Sequence, residues 1–264
     1  MSVNAYIEKL PLADVTLGKS AFQQLQDLLG PARSAVASLA PPGPPMPANL
    51  KAAVDAGSLL SFVSGVSAPE RDDVLFSVQL AQRGASGTFD RFTQTQSWYQ
   101  KYLEILENVG WTAEQFAFAK YDQGDGELKM DKAALAIIAA IATQNQLAVL
   151  QQSIQALKDL AENDHAISIF DFHSSVEQSG NFQIGAVQKA DNGALALALG
   201  GFYFRSVDSR RRFLFFAWGK QTVNFWTAAQ KMTLNQTLYA LCRDQVQKKL
   251  GAGVTDFIGA LNIP

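Results

Sequence analysis

Few residues in this 264-residue chain are of the types that carry covalent or acid–base chemistry. There are two histidines, His165 and His173, and one cysteine, Cys242. Asp171 and His173 stand two apart in the run ISIFDFH, which reads as a strand. Both side chains then share a face, the arrangement in which a carboxylate orients a general base. The spacing supplies no nucleophile beside them, so the pair reads as a surface pair at a strand end. Asp164-His165 reads as a helix C-terminus, where the field favours a cation. There is no Gly-x-Ser-x-Gly, no phosphate-cradling glycine loop and no paired-cysteine metal motif. The acidic run Asp122-Gln123-Gly124-Asp125-Gly126-Glu127 lacks the alternating oxygens and terminal bidentate Glu of a calcium loop. It reads as a turn, with Asp131 capping the next helix. No catalytic residue, metal site or cofactor is expected, and an enzyme is not what these residues suggest.

Cys242 has two readings. Leu238, Leu241 and Val246 flank it at inward helical spacings, which makes a buried, inert thiol. The sharper reading is a thioester to a fatty acyl chain such as palmitate, with the thiol opening into an apolar cavity; only Arg243 is nearby to lower its pKa. Leu197, Leu199, Phe213, Phe215 and Trp226 are the candidate lipid- or acyl-binding residues beside it. Arg210-Arg211-Arg212 is the one dense basic run, either a solvated hairpin tip or a contact for lipid headgroups. A formal net charge of −2 argues against nucleic acid as the main partner, since phosphate binding needs clustered Lys and Arg.

The elements that must position these residues follow from patterning. With 48% apolar residues, burying a sizeable core is no difficulty. From Ile167 to about Leu234 the chain reads as consecutive strands: ISIFDFH, NFQIGAVQ, ALALALGGFYFRS, RRFLFFAWG and TVNFWTAAQKM. Clusters of Gly, Asn, Asp and Ser separate them, the signature of an antiparallel meander, with Asn192-Gly193 the strongest turn. Leu195, Leu197 and Leu199 take one face of their strand; Ala194, Ala196, Ala198 and Gly200 take the other. The run Phe213 to Trp218 does not alternate, so both faces need shelter. The expected fold is α/β: a central, mostly antiparallel sheet covered by helices on both faces, in a single domain over 1–264.

Ahead of the meander, Val3 to Ile7 is read as an edge strand. Ser20 caps a helix to about Leu39, kinked at Gly30-Pro31. The prolines from Pro41 to Pro47 form a stiff connector between helices. A helix from Ala48 to Val63, a strand from Asp73 to Leu80 and a helix from Phe92 to Val109 stopped at Gly110 come next. A strand from Glu114 to Lys120 pairs with Val74 to Leu80. Asp131 to Leu160 is helical, broken into a hairpin near Asn145. The last helix spans Leu234 to Leu250, ended by Gly251, with a short tail element at Asp256-Phe257-Ile258. MSVNAYIEKLPLADVTLG lacks the basic and apolar regions of a secretory signal, and Ala133 to Ala142 is too short to span a membrane. A protein soluble as synthesised is expected.

The stretch GALALALGGFYFRSVDSRRRFLFFAWGKQTVNFWTAAQKM resembles the sheet half of the cytolytic (Cyt) delta-endotoxins. Gly193, Gly201-Phe202 and Leu214-Phe215-Phe216 occupy the places of that family's Gly-turn, Gly-Phe strand end and Leu-Phe-Phe strand. The related Erwinia virulence factor (Evf) family has the same architecture, and the proline connector and early strand–helix–strand segment are similar to it. The resemblance covers roughly Asp131 to Lys231. It implies action at membranes, release toward a host, self-association on lipid and, for the Evf type, a fatty acyl chain on a buried cysteine. Cys242 lies in the last helix and does not align with that cysteine. The alternative is a lipid carrier that inserts nowhere, or a plain interaction module.

Overall fold

The computed structural model describes residues 2–13, 49–122, 124, 126–161, 164–209, 212–219, 222–251, 257–261 and 263. The helix expected from Ser20 to Leu39, the proline connector, Arg210 and Arg211 lie outside them. In chain order the elements are α1 (Val3–Lys9), β1 (Ala52–Asp55), β2 (Ser58–Phe62), α2 (Ala68–Ser86), α3 (Thr95–Asn108), β3 (Trp111–Thr112), β4 (Ala119–Lys120) and β5 (Leu128–Lys129). Then follow α4 (Met130–Ala139), α5 (Gln144–Asp159), α6 (His165–Ser174), β6 (Ser175–Val176), β7 (Ser179–Lys189), β8 (Leu195–Ser206) and a single 3-10 turn at Phe213–Phe215. β9 (Ala217–Trp218), β10 (Val223–Leu234), α7 (Gln236–Ala240), α8 (Arg243–Leu250) and β11 (Ile258–Leu261) complete the order.

The main sheet runs β11-β1-β2-β7-β8-β10-β3, with β4 also on β10 and β6 also on β7. Among the described residues the β2–β7 pairing is parallel and the other pairings are antiparallel. Helices cover both faces, as the sequence led us to expect. α1, α2, α3, α7 and α8 pack one side around Leu195, Leu197 and Leu199, while α4, α5 and α6 pack the other around Ala198, Phe202 and Phe204. β8 therefore shows the alternation its sequence announces. At the β7–β8 turn Gly193 has φ +83°, a conformation a side chain would strain.

Several elements differ from the sequence reading, each for a local reason. Asp73 to Leu80 lies inside α2. The Glu70 carboxylate accepts from the Ser67 amide and hydroxyl at 2.8 Å, closing a helix start that Pro69 favours. The helix is wedged between sheet and helices, and so loses the polar face that would have announced it. Ile167 to His173 is helix, not strand, because the Asp164 carboxylate caps the Ala166 amide at 2.8 Å; Ile167, Phe170 and Ser174 then turn inward. Asp164-His165 is thus a helix start, not an end. Val3 to Ile7 is also helical, with Ser2 as its cap.

Conversely, the helix expected from Ala48 to Val63 is the β1–β2 hairpin, buried on both faces and so without alternation. Its turn is Ala56-Gly57, since Asp55 pairs with Ser58. A Cβ on Gly57 would sit 2.7 Å from an Arg91 guanidinium nitrogen, so a larger residue there would have to displace that side chain. The run Phe213 to Trp218 turns instead of extending: Arg212 takes a left-handed conformation (φ 53°) and Phe213–Phe215 coils into the 3-10 turn. Of Glu114 to Lys120 only β4 pairs, and its partner is β10, through Trp226↔Lys120, not Val74 to Leu80. The last helix is two, with Cys242 at the break between α7 and α8.

Candidate functional site

The three long strands β7, β8 and β10 form one antiparallel meander of 11, 12 and 12 residues. Register sorts their side chains. Phe182 pairs with Phe202 and Phe204 with Phe225, which puts these rings on the α4–α6 face beside Ile184, Ala186, Ala198 and Val223. The rings stack upon one another, Phe182–Phe202 at 5.2 Å and Phe202–Phe225 at 5.8 Å. Phe213, carried in by the 3-10 turn, closes over them at 5.0 Å from Phe204. Along β7 this face is apolar from Phe182 to Ala186, while β10 adds Thr227 and Lys231 to it opposite Phe202 and Ala198.

The opposite face changes character along its length. At one end Val187, Leu195, Leu197, Leu199 and Met232 are dry. At the other, Asn181 and Gln183 point toward α3, and Tyr203, Arg205 and Asn224 share that side; Gln230 is on the same face but opposite Leu199. The Tyr99 hydroxyl donates to Asn181 Oδ1 (2.9 Å) and accepts from Gln183 Nε2 (2.8 Å), while Ser58 Oγ donates to Gln183 Oε1 at 3.0 Å. Arg91 donates to the Asn181 carbonyl (3.0 Å), and Asn181 Nδ2 returns a bond to the Arg91 carbonyl (2.9 Å). The network continues to β1. Gln79 Nε2 donates to Asp55 Oδ1 at 3.1 Å, and Gln82 bridges the Asp55 carbonyl (2.9 Å) and the Gly57 amide (3.1 Å).

Burial perturbs the ionisable members of this cluster. It pulls Arg91 down to about 10, against the neighbouring Tyr99, Tyr102 and Asp90. Burial raises the Tyr99 and Tyr102 hydroxyls well above the ordinary phenol range. His173, between the Phe172 and Phe257 rings, is lowered to about 3 by burial and by the Arg91 charge. Asp55 is raised to about 8 by burial. The residues missed from sequence are these. The polar/apolar alternation Asn181, Phe182, Gln183, Ile184 is the signal that would have found them.

The residues singled out from sequence do not converge. Cys242 is 2% exposed in the same cluster as Leu197 and Leu199, whereas Phe213 and Phe215 lie across the sheet. Trp226 is half-buried and stacks on Tyr203 at 4.7 Å. The Cys242 thiol donates to the Tyr239 carbonyl at 3.3 Å, and burial pushes it up to about 11. Arg243 opposes that rise, yet its guanidinium is held by Asp73 at 2.7 and 2.6 Å. The thiol is therefore protonated. Arg212 is no free tip: it donates to the Leu160 carbonyl (2.9 Å) and the Lys158 carbonyl, closing the C-terminus of α5. Its amide donates to Asp171 Oδ2 at 2.8 Å. Asp171 and His173, on a helix, do not share a face.

Among the described residues no group of His, Cys, Asp and Glu is placed to hold a metal, and no helix is long and apolar enough to cross a membrane. A polar cleft of about 340 Å³ opens beside Tyr121, Glu127, Lys129 and Lys132, and another of about 560 Å³ beside Lys189, Asn192, Thr233 and Gln236.

No family model and no curated protein matches this chain. Solved structures do. The chain is similar in fold to a delta-endotoxin (12% identity, 69% of this chain and 84% of that one, TM-score 0.40). It is similar also to the activated Cyt2Ba monomer from Bacillus thuringiensis subsp. israelensis (12% identity, 68% and 97%, TM-score 0.41) and to the Evf virulence factor (8% identity, 76% and 84%, TM-score 0.34).

Proposed function

We propose that this chain acts on lipid bilayers without catalysis, as a cytolysin or virulence factor does, and that β7, β8 and β10 are the part that enters the membrane. The observation that carries the reading is the two-faced meander. A transmembrane strand needs about 9–11 residues, and strands of 11 and 12 meet that requirement. One face is apolar across Phe182, Phe202, Phe204 and Phe225, with Thr227 and Lys231 further along β10, and its aromatic end suits lipid. The other gathers Asn181, Gln183, Tyr203 and Arg205 at one end and suits a wet interior there, while its Leu195, Leu197 and Leu199 end is apolar. Three strands cannot close a barrel, and open edges are not tolerated in hydrocarbon. Several copies must therefore associate on the bilayer. Arg210 and Arg211, in the β8–β10 connection, are the proposed headgroup contacts; the Arg212 guanidinium is already engaged by the Leu160 and Lys158 carbonyls.

An acyl thioester at Cys242 is not needed by this reading: in the closed fold the thiol is buried and protonated, hence a poor nucleophile. The decisive measurement is release of an entrapped dye from liposomes by submicromolar protein. Release from vesicles containing anionic lipid is the expected outcome. If no lipid mixture leaks, membrane action is wrong. Should the native protein then carry extractable fatty acid, a carrier replaces it.

A further inference from the structure

Asp55 ends β1 and is 0% exposed. Its Oδ1 accepts from Gln79, but its Oδ2 is buried with no hydrogen-bond partner. Every packed element presents a known group to it. From α2 come Gln79, Gln82 and Arg83, the last lying over Phe257 (4.9 Å) and donating to the Leu250 carbonyl (3.3 Å). From α3 comes Tyr102, whose hydroxyl is likewise buried without a partner. Before α3, Arg91 is turned toward Asn181 and lies over Trp98 at 4.6 Å. α6 brings the His173 carbonyl against the adjoining Gly57, its imidazole lying between Phe172 and Phe257, and β11 pairs Ile258 opposite Asp55. A neutral carboxyl is tolerable there. A charged one is not, unless the hairpin or α2 moves.

We propose that Asp55 is a base-sensitive latch: it closes the fold as a neutral acid, and its ionisation uncouples β1 from α2 and α3. Burial holds the carboxyl at about 8, against the weaker pull of Gln79 and Arg83. A group raised in the fold stabilises fully below its unfolded pKa, here near 4, and loses that contribution as pH climbs to about 8. His173 works oppositely. Lowered to about 3, it costs stability as pH falls below its unfolded value of about 6.5. The two effects offset each other between about pH 4 and 6.5. Above that, Asp55 acts alone. The folding constant then falls by up to about tenfold per pH unit, roughly 15-fold between about pH 6.5 and 8, where the slope flattens.

Urea unfolding of the wild type and of Asp55→Asn, at about pH 6.5 and about pH 8, tests the latch. The wild type should lose about 15-fold in folding constant while D55N stays flat. An equal loss in both overturns the latch. If D55N does not fold, infrared titration of the wild type decides: a buried protonated carboxyl at neutral pH, lost near pH 8, supports the latch, and its absence at neutral pH overturns it. As regulation of membrane action the latch rests on the preceding proposal, and dye release at the two pH values separates the two. A slope that D55N removes, with no leakage at either pH, keeps the latch and sinks the membrane reading.

Discussion

Against α4–α6 the meander presents Phe182, Phe202, Phe204 and Phe225, stacked and dry; against α3 it presents Asn181, Gln183 and Tyr203, bonded to Tyr99 and Arg91. Apolar contact has no direction and is satisfied equally by a helix or by an acyl chain. A hydrogen-bond network is satisfied only by its own partners or by water. The α4–α6 layer is therefore the one that lipid can replace, and the α2–α3 layer the one that must be rehydrated. The largest expected effect follows. Ser61 on β2 and Ser153 on α5 place their hydroxyl oxygens 2.7 Å apart, and a disulfide between S61C and S153C would tie the dry layer to the sheet. Oxidised protein should lose at least about tenfold in dye release, and dithiothreitol should restore it. Full release by the tethered form would mean that this layer never departs.

A smaller effect sets the two faces against each other in the folded protein. Phe202 is fully buried, stacked between Phe182 and Phe225, so Phe202→Ala should cost about 3–5 kcal/mol in urea unfolding. Gln183→Ala removes the acceptor of the Ser58 hydroxyl and the donor to the Tyr99 hydroxyl, and should cost about 1–3 kcal/mol. The reverse order would make the polar face the main brace and remove the reason for the dry layer to leave first.

The same contrast explains what was legible in the sequence. The meander could be read because β7, β8 and β10 alternate and because Asn192-Gly193 announces its turn. α2 and the β1–β2 hairpin exchanged identities because each is buried all round. Period then vanishes, and only the Ser67–Glu70 cap and the Ala56-Gly57 turn distinguish helix from strand. ISIFDFH has strand composition and is helical through one capping carboxylate, Asp164. The candidate lipid residues were chosen for bulk, and bulk does not tell which side of the sheet a side chain takes when a turn intervenes. Phe213 crossed over for that reason. The polar cluster assembles Asp55, Arg91, Tyr99 and Gln183 from four segments, so the alternation from Asn181 to Ile184 marks only its β7 part.

Gln230 gives the finest test, because it separates folding from membrane action. It lies on β10 on the side of Asn181 and Gln183, 7% exposed, with neither amide atom hydrogen-bonded. In the closed fold such a side chain costs stability; on the wet side of an inserted sheet, water would satisfy it. Gln230→Leu, similar in volume and apolar, should therefore stabilise the closed protein by about 1 kcal/mol and reduce dye release. Both changes point the same way for insertion, since the closed state gains while the open state loses. A variant that is stabilised yet releases dye as well as the wild type would place Gln230 away from the lumen, and would reverse the assignment of the two faces.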